Sequence, residues 1–203
     1  MNRIEFLAGR YRAILAYTGL MFLLVAGLML TPLLVLVAWP EEGVQAACFI
    51  VPAVVMAGAG WILWRMFRPR GAAVLSAVEG GVIVLLSWSG AIFASAMPLM
   101  PAASLNLTQA VFEAVSGWTT TGLSVVDVTR VSHMVLLWRS MMQLAGGAGL
   151  VVIMLAALAG PIGPGLSIAE GRTDQLVPQV RRSVRLVVLI YGIYMVLGVG
   201  GLR

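Results

Sequence analysis

Between Phe112 and Leu123 the chain sets an acid, a serine, a glycine, three consecutive threonines and a second glycine close together. Thr119, Thr120, Thr121 and Gly122 offer a dense row of carbonyl and hydroxyl oxygens with no fixed charge among them. A small cation entering a narrow passage must shed water, and a ring of carbonyl oxygens can replace that shell. Threonine favours extended backbone and adds hydroxyl oxygens, while glycine can take the positive φ that turns neighbouring carbonyls toward one axis. The preceding stretch, Leu105–Trp118, has helical character and is too short to span a bilayer. Its C-terminal, partially negative end would face such a cation. Small residues of these types also let membrane helices pack closely, and composition alone leaves both readings open. The position at the end of a non-spanning helix favours the ion-binding one.

Around this cluster stand residues of supporting type. Glu113 lies in the short helix, where it can brace the loop through nearby backbone or add negative field at the outer mouth. Arg139 can pair with Glu113 or with Asp127, or snorkel to the headgroups. Glu79 is expected to cap or pair near the opposite membrane face, and His133 to be an ordinary interfacial residue. Ser116 and His133 are the pair that an intramembrane serine hydrolase would need, although no second glycine precedes the serine. Cys48 is alone in an apolar run, so cysteine builds neither a disulfide framework nor a zinc site.

The elements that must position these residues follow from composition. Hydrophobic residues make up 61% of the chain and charged ones 10%, against about 45–50% and about 25% in a soluble domain. So few charges cannot cover a surface in water, and lipid is the solvent that fits. Apolar runs extend from Ala13 to Ala38, Val44 to Phe67, Leu75 to Met97, Val131 to Leu158 and Leu186 to Leu202. The first is too long for a cleavable signal peptide. Trp39 to Gly43 reads as a tight turn closing a helical hairpin, and Pro98 and Pro101 as the end of the third run. The fold class expected is an all-α membrane protein. It comprises an N-terminal transmembrane hairpin (1–70), one helix–pore loop–helix repeat (71–160), and a cytoplasmic link with the first helix of a second repeat (161–203).

All thirteen basic residues are arginine, and the net charge is +5. With a cytoplasmic N-terminus, ten of them, from Arg3 to Arg185, fall on the cytoplasmic side and only Arg130, Arg139 and Arg203 lie toward the outside, as the positive-inside rule requires. Trp61, Trp64, Arg65, Arg68 and Arg70 form an aromatic and basic belt at a membrane surface. No basic groove interleaved with base-stacking aromatics is present, which argues against nucleic-acid binding.

The stretch from Phe112 to Gly122, followed by Leu137 to Gly149, resembles the first pore repeat of the TrkH/KtrB family of bacterial potassium-uptake proteins. Glu79–Ser89 is similar to the outer helix of that repeat, and Ala169 to Tyr191 to the link into the next. The preceding hairpin resembles the extra N-terminal pair of TrkH-type members. The resemblance implies potassium transport across a bacterial inner membrane, with no covalent chemistry and no cofactor. Members carry four such repeats whose loops jointly form the filter, so Thr119–Gly122 would supply one quarter, with the carbonyls of Thr120 and Thr121 as the main potassium contacts. The chain is therefore expected to be an incomplete transporter; a non-conducting membrane component or a homotetramer of single repeats are the alternatives. Family membership further implies a homodimer and a cytosolic nucleotide-binding regulator of the TrkA/KtrA type.

Overall fold

The computed structural model describes residues 3–68 and 77–158, with the side chains of 8–68 and 78–149, and two short pairs at 189–190 and 192–193. Residues 1–144 form one compact unit and 145–203 a second. Among the described residues the chain is helical and carries no strand: α1 (Arg3–Met29), α2 (Ala46–Phe67), α3 (Ala77–Ala102), the short α4 (Leu107–Trp118) and α5 (His133–Leu158). Three stretches, Ala8–Val37, Pro40–Phe67 and Val78–Ala102, are long and apolar enough to cross a membrane by length and composition. Apart from those two pairs, the fifth apolar run lies outside the described residues, as do the polar connection before it and its four arginines.

Helix α1 starts ten residues before the apolar run does, because Arg and Glu are good helix formers and need no burial to extend it. It stops at Met29 because Pro32 has no N–H for the Leu28 carbonyl. Thr31 Oγ1 takes that place, donating to Leu28 O at 2.7 Å. The chain then tightens into two 3₁₀ segments, Thr31–Val37, inside the run expected to form the first span, and Pro40–Gln45, where a simple turn was expected. Helix α2 ends at Phe67. Arg68 takes extended backbone (φ −48°, ψ 122°), as a residue preceding proline must, here Pro69.

Two glycines set the approach of α1 to α2. A Cβ at Gly19 would lie 2.6 Å from the Gly60 carbonyl oxygen, and one at Gly60 would lie 2.7 Å from that of Gly19. The helices therefore touch backbone to backbone, a mode of packing that membrane helices use in place of the hydrophobic effect. Gly90 of α3 likewise lies beneath the Phe22 ring, 2.5 Å from its Cε1 and Cζ if a Cβ were added. At one end of the bundle Arg10 pairs with Glu79, joining α1 to α3.

Pro98 and Pro101 do not end the third helix, as the sequence suggested; both lie inside α3. Proline's fixed φ is itself helical, and each removes only one bond. The helix closes four residues after Pro98 through Ser104, at φ 53°, with Ala103 N–H on Leu99 O and Leu105 N–H on Met100 O.

Helix α5 begins under a carboxylate from far along the chain. Glu42 accepts the backbone N–H groups of His133 (2.9 Å) and Met134 (3.0 Å), and the His133 ring nitrogen lies 2.7 Å away. The same imidazole stacks on Trp39 at 4.1 Å, and Ser132 Oγ donates to Gln45 Oε1 at 2.6 Å. Glu42 thus satisfies two of the four orphan donors of this helix and opposes its positive end with a negative charge. Trp138, one turn further on, is fully buried against Phe49 of α2.

Candidate functional site

Helix α4 is built to present its C-terminus. Asn106 and Gln109 form a reciprocal capping box, with Gln109 N–H on Asn106 Oδ1 at 2.9 Å and Asn106 N–H on Gln109 Oε1 at 3.1 Å. Such a box satisfies two N-terminal donors and fixes where the helix starts. The buried face carries Ala110, Glu113, Ala114, Ser116, Gly117 and Trp118. Trp118 Nε1 donates to the buried Ser95 hydroxyl of α3 at 2.9 Å. Gly117 lies against Met142 of α5, whose Cβ would stand 3.1 Å from an added methyl. The end of α4 is thereby held from both neighbouring helices.

The threonines do not run extended from the helix, as expected. Thr119 sits at φ −86°, ψ 0°, and Thr120 at φ +56°. Thr120 N–H bonds to Gly117 O (3.1 Å) and Thr121 N–H to Ser116 O (3.0 Å). This is the pair of reversed bonds that closes a helix through a left-handed residue, a place where glycine is usual. A β-branched side chain there is strained, at a cost of roughly 1–2 kcal/mol. Gly122 follows at φ +80°, where the absence of a Cβ matters. Two left-handed residues within three positions bend the backbone into an arch.

Buried side chains of α4 hold the far limb of that arch. Ser116 Oγ donates to Leu123 O at 2.5 Å, while the Ser116 carbonyl accepts Thr121 N–H. Glu113, one turn earlier and 2% exposed, accepts from Ser124 Oγ at 3.0 and 3.1 Å and from Val125 N–H at 3.0 Å. Arg139 Nε of α5 stands 2.5 Å from Glu113 Oε1. Of the alternatives for Arg139, the structure places it on Glu113; Asp127 pairs instead with Arg130 at 3.2 Å. Donation from the Thr129 hydroxyl and N–H holds the Asp127 carboxyl below its usual range.

The oxygens divide into committed and uncommitted ones. Thr119 Oγ1 donates back to Val115 O at 2.7 Å, so Thr121 Oγ1, 2.7 Å away, is the donor to Thr119. These hydroxyls therefore brace the turn. The carbonyl oxygens of Ser116, Gly117 and Leu123 each accept a hydrogen bond, whereas those of Thr119, Thr120, Thr121 and Gly122 accept none among the described residues. Residues 119–125 are all exposed. The arrangement is a row of free carbonyls on a strained arch, fastened at both ends.

Ser116 and His133 are not brought together. The serine hydroxyl is donated to Leu123 O, and the imidazole is engaged by Glu42 and Trp39. Sequence reasoning missed Ser116 and Ser124 as fasteners of the loop. The available signal was that Glu113 and Ser116, three apart, share one face of a helix ending at the loop.

A family model described as TrkH, cation transport protein, matches residues 63–201. The Trk system potassium uptake protein TrkH of Salmonella typhimurium is 33% identical over 190 residues, covering 89% of this chain and 39% of that protein. The Trk system potassium uptake protein TrkI of Halomonas elongata is 36% identical over 154 residues, 73% of this chain and 30% of its own. The crystal structure of the potassium transporter TrkH from Vibrio parahaemolyticus is similar with a TM-score of 0.70 and 27% identity, over 94% of this chain and 38% of that one. The chain thus spans about a third of the length of the curated relatives it matches.

Proposed function

This chain belongs to the TrkH family of cation transport proteins, and on that premise we propose that it helps move potassium across a membrane, with Thr119–Gly122 as its share of the selectivity filter. The observation that carries the reading is the fastened arch, whose four carbonyl oxygens accept no hydrogen bond among the described residues, while those of Gly117 and Leu123 do. A dehydrated potassium ion is stabilised by such oxygens, with those of Thr120 and Thr121 the main contacts. The C-terminus of α4 adds the negative end of its dipole at the same place. Glu113 and Arg139 position the loop and do not touch the ion. No covalent step is involved, and Ser116 serves as a fastener, not as a nucleophile.

The relatives' names support a Trk-type system. We assign this chain to a bacterial plasma membrane with its N-terminus cytoplasmic, on the distribution of its arginines. The complete transporter is read as a homodimer with a cytosolic nucleotide-binding regulator of the TrkA/KtrA type. Since residues 119–125 are exposed, one such loop gives one side of a pore. The second reading, a membrane component that conducts nothing alone, rests on that exposure.

Potassium uptake in a transport-deficient bacterium tests both. The cells would express either the 203-residue chain or a chimera in which it replaces the matching segment of a TrkH relative. Uptake by the chimera alone is the expected result. Uptake by the short chain would mean that copies of it close a pore together. Failure of a well-expressed chimera would overturn the assignment.

A further inference from the structure

The last two turns of α2 carry Trp61, Trp64 and Arg65 at i, i+3 and i+4, and Arg68, the residue that closes the helix, follows on the same side. Trp61 is 56% exposed, and both arginines are exposed. The Arg68 guanidinium carbon lies 4.9 Å from the centre of the Trp64 ring, a cation–π contact that leaves its N–H groups without a hydrogen-bond acceptor among the described residues. Other arginines with described side chains are engaged. Arg10 pairs with Glu79, Arg130 with Asp127 and Arg139 with Glu113, and Arg12 donates to Met66 O. Arg65 and Arg68 make no ion pair and no hydrogen bond among the described residues. The same side of the helix continues toward the middle of the span as Val54 and Val51, 63% and 59% exposed, with nothing above Gly58 between. Val54 precedes Arg65 by eleven residues, about 16 Å of helix. One leaflet of hydrocarbon is about 15 Å.

We propose that this face of α2 is a seat for one anionic phospholipid. Its phosphodiester is held by the guanidinium groups of Arg65 and Arg68, its glycerol region lies against the two indoles, and an acyl chain lies along Val54 and Val51. The proposal rests on the membrane placement of the chain and not on its conducting ions. Guanidinium is a planar fork that meets phosphate oxygens in pairs, which an ammonium cannot do. The apolar strip decides between a lipid and a soluble anion. An acidic peptide or free phosphate would use the arginines and leave the valines and the glycine notch unfilled, whereas a phospholipid uses every part.

Native mass spectrometry of the detergent-purified 203-residue chain, equilibrated with equimolar phosphatidylglycerol and phosphatidylcholine, reads the headgroup of retained lipid. Wild type is expected to prefer phosphatidylglycerol, by about fivefold for each guanidinium near the surface. R65Q/R68Q should bring the ratio to unity, and R65K/R68K, which keeps the charge and loses the paired N–H fork, should retain only part of the preference. R130Q, the same charge removed elsewhere, should leave it intact. Glycerol phosphate in solution should not displace the lipid. Equal retention by wild type, full preference in either double variant, an equal loss in R130Q, or displacement by glycerol phosphate would each overturn the seat. Because R65K/R68K preserves the charge at the helix end, it keeps the question answerable if R65Q/R68Q does not fold. None of these results depends on uptake.

Discussion

Glu113 and Arg139 meet at 2.5 Å inside the repeat, the acid 2% exposed and the arginine side chain 15% exposed. The arginine holds the carboxylate, and the carboxylate in turn holds Ser124 and Val125. The limb of the arch beyond the free carbonyls is therefore anchored on a buried charge pair that joins α4 to α5. A buried pair gains little over an apolar substitute, but removing one partner strands the other.

That asymmetry gives the first prediction. R139Q leaves the Glu113 carboxylate buried without its cation and should cost about 3–5 kcal/mol. E113Q/R139Q should cost less than the sum of the two single changes. Unfolding of the detergent-solubilised chain by titration with dodecyl sulfate, as a double-mutant cycle, measures this.

Thr120 gives a prediction of opposite sign. At φ +56° its side chain is strained, and T120G should stabilise the chain by about 0.5–1 kcal/mol, strain relief less the added freedom of the unfolded chain. T119G, at φ −86°, relieves nothing and should destabilise by a similar amount. The same titration compares them, and a stabilising T119G would contradict the backbone described.

The hairpin is tested at its glycines. G19L drives a side chain into the Gly60 carbonyl and should cost about 1–3 kcal/mol or separate the helices. A Cβ at Gly27 meets nothing within 4 Å, and G27A should be neutral or stabilising by up to about 1 kcal/mol. Cross-linking of cysteine pairs across α1 and α2 reports the separation directly.

The helices were legible because a chain with 61% hydrophobic and 10% charged residues must satisfy its backbone within each span. Their ends were less so. Proline reads alike at Pro32, where a helix stops, and at Pro98 and Pro101, where one continues; nothing in the residue type separates the two. Glu113 and Arg139 stood out as charges in an apolar setting, and the structure brings them together. Threonine propensity misjudged Thr119 and Thr120, because closing α4 requires a left-handed residue that local preference does not foresee. Glu42 on the start of α5, and Gly19 against Gly60, are meetings between distant segments that no spacing along the chain announces.

The central claim is that Thr119–Gly122 lines the ion path, and the most direct measurement is potassium against sodium uptake by the chimera carrying G122S. A serine at φ +80° must re-aim the neighbouring carbonyls, so discrimination should fall by about tenfold, equivalent to about 1.4 kcal/mol, with expression and total flux retained. Unchanged discrimination in a well-expressed G122S chimera would contradict the claim.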